Sequence, residues 1–543
     1  MEKTKKTRKT DKPIKKVLVT GSAGTVGNYV LGVLLKKGYA VKAVDIRPTP
    51  LETLKHLPLD KLEVIAGDLT DKDFAKSLVK GVDAVIHTAA LIDIALSYKQ
   101  LAPLNVMAVR YLYEASRKEG VKIFVHFSSG SIYLPEGAIV SEETPIRPSS
   151  PYEQTKAESE DLVRVLGTDK KVPYVIMRPG LIYGPRGRFL ANGFSAIPAV
   201  MRYLLGKTVP AFDGGPKTNL VHAEDVARAA VFLMETPKSW GEAYNIADKT
   251  ILSIGQIITA NTKAYGLKSS YTIKIPPPTF ARPFKPILDT DLFFKIANIP
   301  TDIIWGALVK EFELKPHLHL SVDRESAPYM FYNVVFSTQK LSKLGFKFKH
   351  EDYRKELPEV MRWYVEHRWL PGYDEIPPAS GWTPRLGFTF SERMSGTFKP
   401  LDKLTGKSGE AARETNGKEL PMEFELDAKA TRLERFVFNP TTKIKGNLYM
   451  EGLARQVQIE GTLQIPLITK RKIIYDFTFN STEGRKYRFS GEKNIKLLSP
   501  LSTFTTLPGT VTDEKGKKVA SAVVRFNLRK DFFPFVRSFG FVH

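Results

Sequence analysis

The stretch VLVTGSAGTVGNYVLGVLLKKG, from Val17 to Gly38, restricts what this chain can fold into more than any other. KVLVT is a β-branched run suited to a strand buried on both faces. Gly21, Gly24 and Gly27 follow at three-residue spacing, and TVGNYVLGVLLKKG then carries helical periodicity up to Gly38, a natural stop. The spacing has a mechanical reason. Gly21 permits a tight turn, Gly24 lets backbone approach a pyrophosphate, and Gly27 lets the helix pack on the strand. The helix opens at Thr25 and Val26, where free N–H groups and the positive dipole end suit phosphates. Alone the glycine triplet is weak; its place between strand and helix gives it weight.

A competing reading is a secretory leader, because the stretch follows the basic MEKTKKTRKTDKPIKK. A leader needs an unbroken apolar segment of ~7–15 residues and then a small-residue cleavage site. Here glycines, Ser22, Thr25 and Asn28 break the run at its centre, and LKKGYAVKAVD stands where the cleavage motif belongs. The leader is rejected. A second strand, AVKAVDI, carries Asp45 eighteen residues beyond Gly27. An acid there accepts hydrogen bonds from the adenosine ribose and repels a 2′-phosphate, which favours NAD over NADP. Arg47, close by, works against that preference, and the bland alternative for Asp45 is a surface turn acid.

At 543 residues two or three domains are expected, and 42% apolar with 11% aromatic residues is a globular composition. The net charge of +23 sits partly in the basic tail and is otherwise diffuse. No zinc-finger spacing, heptad-linked basic region or RNA-binding aromatic signature accompanies it, so a solvated basic surface is expected rather than nucleic-acid binding. The absence of cysteine excludes disulfides, thiolate metal sites and a cysteine nucleophile. Nine histidines without H-E-x-x-H spacing suggest no metal site. His126 reads as a hydrogen-bonded core residue and His222 as a packing residue near the substrate region. No apolar run reaches the ~18 residues of a spanning helix.

LEVIAGDLTD and GVDAVIHTAA are two further strand-like runs ending in small or polar residues. With the glycine spacing they resemble the extended short-chain dehydrogenase/reductases, the NAD-dependent epimerase/dehydratase group that includes nucleotide-sugar epimerases and 3β-hydroxysteroid dehydrogenases. The resemblance continues, in family order, through LNVMAVRYLYEAS, FVHFSSGSIY, PYEQTKAESE, VIMRPGLIYGPR, TNLVHAEDVARA and EAYNIAD. It ends in FSTQKLSKLGFKFK and LPEVMRWYVEH, spanning about residues 15–372. It implies an α/β, Rossmann-type doubly wound parallel sheet with a small substrate-capping region. It also implies Asp68 and Leu69 at the adenine, the HTAA run with Thr88 and Ala89 on the nicotinamide side, Pro179 beside the cofactor, and Arg186 near the substrate.

The chemistry centres on Ser129, Tyr152 and Lys156. Tyr152 and Lys156 are four apart in YEQTKAESEDLV, a predicted helix, so they share one face. A phenol of pKa near ~10 is a poor base at neutral pH. An ammonium beside it, together with the positive ring of oxidised NAD, favours the phenolate. Tyr152 then exchanges the hydroxyl proton while Ser129 orients the same oxygen; the resemblance also implies that Lys156 binds the nicotinamide ribose. Counting back four from Tyr133, as the family's S-x-x-V-Y pattern suggests, selects Ser129 over Ser128, whose bland reading is a strand-end hydroxyl bonded to backbone. Nucleotide-sugar dehydratases of the group carry an Asp–Glu pair just after the active hydroxyl. Here those positions are Gly130 and Ser131, which disfavours dehydration.

The Tyr271–Leu320 segment is rich in prolines, aromatics and aliphatics. It reads as an apolar lid or membrane-resting patch, or as a capping subdomain with its own small core. The expected substrate is therefore a hydrophobic, steroid- or lipid-like secondary alcohol or ketone, with a nucleotide-sugar 4-epimerase and a non-catalytic NAD-binding scaffold as alternatives. Near PGYDEIPPASGWTP the texture changes to period-two runs: LGFTFSERMSGTF, MEFELDA, RFVFNP, KIKGNLYM, RQVQIEGTLQI, IIYDFTFN, KYRFSG and SAVVRFNLR. SGTF, KGNLYM and EGTLQI echo one another, placing glycine at a repeated bend. DKLTGKSGEAARETNGKE reads as a charged, mobile loop. The expected organisation is a basic tail (1–14), a dehydrogenase domain (15–372), a linker (373–384) and an all-β barrel or sandwich (385–543). The expected location is cytoplasmic or membrane-peripheral, with membrane contact and homodimer formation left open.

Overall fold

The computed structural model describes residues 13–47, 54–92, 96–133, 139–169, 171–188, 190–281, 291–318, 320, 329, 331–377, 387–401, 418–430, 440–466, 472–495, 500–538 and 540–542. It divides into two compact units, Met1–Arg202 with Thr208–Ala281 and Lys285–Ile376, and Tyr203–Lys207 with Arg282–Phe284 and Pro377–His543.

The first unit is built on seven parallel strands: β1 (Lys16–Thr20), β2 (Ala40–Asp45), β3 (Leu62–Ala66), β4 (Ala84–His87), β5 (Ile123–Phe127), β6 (Tyr174–Pro179) and β7 (Glu242–Ile246). Their order is β7-β6-β5-β4-β1-β2-β3. The chain reverses its direction of travel between β1 and β4, so a crevice opens beyond the carboxyl ends of those strands. The β-branched run explains itself at β1. Val17 and Val19 are buried on one face with Val30, Leu31 and Leu34 of helix α1 (Thr25–Lys36), while Leu18 joins Leu112 and Phe124 on the other. Each such fully buried side chain contributes roughly 1.5–3 kcal/mol. Helix α1 ends where expected, with Gly38 at φ 84°.

The first unit also contains a three-stranded sheet of Leu181–Tyr183, Lys217–His222 and Ile251–Ser253, and the pairs Thr208–Gly214 with Lys268–Ile275 and Ile139–Val140 with Val335–Phe336. Within the Tyr271–Leu320 segment, Asp291–Glu311 is a helix, and Ile304, Trp305, Leu308, Leu314 and Leu318 are buried. The Trp305 indole donates to Leu318 O (3.0 Å). Residues 282–290 of that segment lie outside the described residues. Among the described residues no helix is long and apolar enough to cross a membrane.

The second unit is a closed eight-stranded antiparallel barrel: β8 (Gly387–Pro400), β9 (Leu420–Ala430), β10 (Thr441–Met450), β11 (Ala454–Gln464), β12 (Lys472–Asn480), β13 (Lys486–Asn494), β14 (Thr506–Asp513) and β15 (Lys518–Arg525). Closure comes from β8, whose Phe398 pairs with Leu420 on one side and Ala522 on the other. In β9 the period-two pattern turns Met422, Phe424, Leu426 and Ala428 inward. The echoed glycines have a steric reason. A Cβ at Gly396, Gly446 or Gly461 would stand 2.0–2.2 Å from a carbonyl oxygen of the adjoining strand. Strand β14 is absent from the period-two runs of the sequence, because Pro508 and Gly509 interrupt the alternation within it. RFVFNP lies outside the described residues except for Pro440, and so does the loop DKLTGKSGEAARETNGKE except for Lys418 and Glu419.

Candidate active site

At the end of β1 the chain turns at Gly21 (φ 73°), where a Cβ would stand 2.7 Å from Ala89 N. Gly24 N donates to Gly21 O (3.0 Å), and a Cβ on Gly27 would lie only 2.1 Å from that same oxygen. The turn and the first turn of α1 are thus pressed together, and only glycine fits. Gly24 caps α1 without a side-chain hydrogen bond, which leaves the amides at Thr25 and Val26 for a phosphate. Asp45, at the tip of β2, is aimed by backbone: Oδ2 accepts from Ala23 N (2.9 Å) and Oδ1 from Arg47 N (3.1 Å). A cradle too tight for any Cβ, an uncapped helix start and an oriented carboxylate beside them together fit NAD.

The neighbouring positions divide. Asp68 is exposed, and its Oδ1 accepts from Thr70 N (2.9 Å). The Leu69 side chain is instead a core residue, so any adenine contact there is made by backbone. The Thr88 hydroxyl donates to Thr20 O (2.7 Å), tying β4's exit to β1, with Ala89 against the Gly21 turn. His87 does not line the crevice as the HTAA run implied. It is withdrawn into the core, its Nδ1 is 2.7 Å from Thr20 Oγ1, its ring stacks on His126, and burial followed by Lys156 pushes its pKa down to about 3. His126 is the hydrogen-bonded core residue expected, with Nε2 2.9 Å from Ser159 Oγ.

Helix α2 (Pro151–Leu166) opens at the site because Ser150 and Glu153 form a capping box behind Pro151. That puts Tyr152 in its first turn and Lys156 one turn on; both are buried. Lys156 Nζ donates to Phe127 O (2.8 Å), the last residue of β5, and stands 6.0 Å from the centre of the Tyr152 ring. Burial lowers the Lys156 pKa to about 8, with Glu160 opposing. Two residues beyond Phe127, the half-buried Ser129 accepts from Ser131 N (3.1 Å) and shares a 2.8 Å hydrogen bond with Ser131 Oγ. Ser128 differs from expectation: its amide donates to Met177 O, while its buried hydroxyl has no partner among the described residues. Pro179 ends β6, with its carbonyl 2.9 Å from where a Gly130 Cβ would sit.

Arg186, which the resemblance places near the substrate, is tied here to the glycine-rich loop. Held at φ 69°, it donates from Nη2 to Ala23 O (2.9 Å) and accepts at its own carbonyl from Thr25 Oγ1 (2.9 Å), so it braces the glycine-rich loop. Three supporting features escaped the sequence reading. Asn105 holds Leu91 by both backbone atoms and donates to Thr155 on α2. Arg178 grips Glu160 through Nε (2.8 Å) and Nη2 (2.6 Å), and both are buried. His222 caps helix α3 (Ala223–Glu235), where Glu224 and His350 converge. Both nitrogens of His350 face carboxylates, Glu224 at 3.0 Å and Glu356 at 2.9 Å, so this group is an ion-paired clamp. Burial works against charge on His350, yet those hydrogen bonds outweigh it and hold its pKa above the ordinary value; Glu224, held by His350 and then Lys349, is lowered to about 2.

Fold and site define a dinucleotide-dependent enzyme of the Rossmann class. Residues 17–247 match the profile described as the NAD dependent epimerase/dehydratase family. An uncharacterized UDP-glucose epimerase, YtcB, of Bacillus subtilis is 31% identical over 47% of this chain and 84% of its own length. A 3 beta-hydroxysteroid dehydrogenase/Delta 5→4-isomerase of Mycobacterium tuberculosis is 30% identical over 43% of this chain and 65% of its own. The crystal structure of a UDP-glucuronic acid 4-epimerase from Bacillus cereus in complex with NAD is 23% identical, with a TM-score of 0.47 over 65% of this chain and 99% of that one. The chain belongs to the NAD-dependent epimerase/dehydratase family and is an NAD-dependent enzyme.

Proposed function

We propose that this enzyme interconverts a secondary alcohol and a ketone on a hydrophobic, steroid- or lipid-like molecule, with Tyr152 as acid and base. The observation that carries this reading is the buried Lys156 ammonium, fixed to Phe127 O and facing the Tyr152 ring one helical turn away. Bound NAD supplies the hydride acceptor. Tyr152 takes the hydroxyl proton in oxidation and returns it in reduction. Lys156 favours the phenolate, and Ser129 holds the reacting oxygen in line.

Two observations support the narrower choice. A Cβ at Gly130 would meet Phe336 at 2.7 Å and Pro179 O at 2.9 Å, so there is no room for an acid beside Ser129, which argues against elimination chemistry. Arg186, one of two arginines in GPRGRF available for a sugar nucleotide's diphosphate, is engaged with Ala23 O instead. The epimerase reading is favoured by the relative from Bacillus subtilis, and one assay separates the two. With NAD and a 3β-hydroxysteroid the proposal expects NADH to accumulate, whereas UDP-glucose should give none. Conversion of UDP-glucose to its 4-epimer without net NADH, and no oxidation of steroids or other hydrophobic alcohols, would overturn it.

A further inference from the structure

Ser129 is held by a neighbour that the Tyr152–Lys156 pair does not involve. It caps one short helical turn, Gly130–Ile132, and its Oγ accepts from Ser131 N (3.1 Å). The same turn folds the Ser131 side chain back, so that its Oγ lies 2.8 Å from Ser129 Oγ. Gly130 lets the turn sit this tightly, since a Cβ there would meet the Phe336 ring at 2.7 Å and Pro179 O at 2.9 Å. The Ser131 hydroxyl makes no other hydrogen bond among the described residues.

A hydroxyl carries one proton and two lone pairs. The Ser131 amide fills one lone pair of Ser129, so the contact between the two hydroxyls decides the rest. If Ser129 donates to Ser131, its proton is spent, and it can only accept from a reacting oxygen. If Ser131 donates instead, both lone pairs of Ser129 are filled and its proton is free to give. Two observations select the second arrangement. Ser129 Oγ is the one acceptor near the Ser131 hydroxyl among the described residues. The reacting oxygen, either a carbonyl or an alcohol losing its proton to Tyr152, gains negative charge and is stabilised by a donor.

We propose that Ser131 is a positioning residue that holds Ser129 as a one-way hydrogen-bond donor to the reacting oxygen. Its hydroxyl donates to Ser129, and Ser129 donates onward. Each bond polarises the next, so the pull on that oxygen strengthens as charge develops there. Ser131 acts through Ser129 alone. The inference rests on the alcohol–ketone chemistry given to Tyr152, but not on whether the oxygen belongs to a hydrophobic alcohol or to a sugar.

A double-mutant cycle on the full chain tests it: parent, Ser131→Ala, Ser129→Ala and both together, with Ser131→Thr as the conservative variant. Rates are read as NADH formed from hydrophobic secondary alcohols, a 3β-hydroxysteroid among them, and as 4-epimer formed from UDP-glucose. NAD titration and thermal unfolding check that each variant is folded. Ser131→Ala keeps the backbone amide and loses the hydroxyl, so kcat should fall about threefold to tenfold, with KM and NAD affinity unchanged. Ser131→Thr should restore most of the rate, and in the Ser129→Ala background the loss of Ser131 should cost nothing further. A Ser131→Ala rate equal to the parent's, or the same loss with and without Ser129, would overturn the inference and leave the functional reading standing. A parent that turns over neither class of substrate would overturn the functional reading, and this inference with it.

Discussion

Replacing Lys156 by methionine removes the ammonium while keeping most of the buried chain. At 6.0 Å from the Tyr152 ring centre and an effective dielectric of about 20, that charge favours phenolate over phenol by about 332/(20 × 6.0), or about 2.8 kcal/mol. Since roughly 1.4 kcal/mol is tenfold, the phenolate fraction, and with it alcohol oxidation at saturating NAD, should fall about a hundredfold at pH 7. With its pKa near 8, Lys156 is still largely charged there, and the gap between parent and variant should narrow as pH rises past that value. Initial rates of NADH formation across pH measure the effect. NAD affinity, measured separately, isolates the contribution to cofactor holding. A variant rate within about threefold of the parent's at pH 7 would limit the electrostatic contribution to roughly 0.7 kcal/mol and refute the role given to this lysine.

Asp45→Ala should weaken NAD and improve NADP, because an acid at this position would accept from the ribose hydroxyls and repel a 2′-phosphate, and this one also braces Ala23; unchanged preference by equilibrium titration would remove it as the selector. The His350 clamp makes stability depend on pH with a definite sign. The raised His350 pKa stabilises fully below its unfolded value and that contribution is lost as pH climbs through the folded one, while the lowered Glu224 pKa stabilises above its unfolded value and is lost as pH falls toward about 2. Thermal unfolding against pH should therefore flatten on both sides in Glu224→Gln; an unaltered curve would contradict this. In the barrel, Lys493 donates to Glu392 (3.1 Å) and Tyr475 (2.8 Å), and all three are buried. Lys493→Ala should cost about 3–5 kcal/mol in urea unfolding, and Lys493→Met with Glu392→Met far less, because only the single change strands a charge.

What the sequence revealed was what it encodes within a few residues. The glycine spacing, the strand before it and the Tyr152–Lys156 step are all local; the glycine turn follows β1 beside the switch between β1 and β4, and Lys156 reaches the end of β5. The barrel's alternation was legible for the same reason, whereas its closure through Phe398, pairing with Leu420 and Ala522, joins strands far apart in the chain. Arg186 shows the limit most clearly. Its motif named it, but only tertiary contact with Ala23 shows which way it turns. The Gly130 position was read as a missing acid, while the reason none fits there is the Phe336 ring, brought in by a strand pairing that nothing near residue 130 announces. The Arg178–Glu160 fork and the His350 clamp were invisible for the same cause.

The central claim is that the Tyr152–Lys156 pair works on the reacting end of NAD. A crystal structure of the NAD complex tests it most directly. The nicotinamide ribose should lie within hydrogen-bonding reach of Lys156 Nζ, with the Tyr152 hydroxyl beside the ring. A nicotinamide bound elsewhere, with both side chains turned from it, would contradict the account.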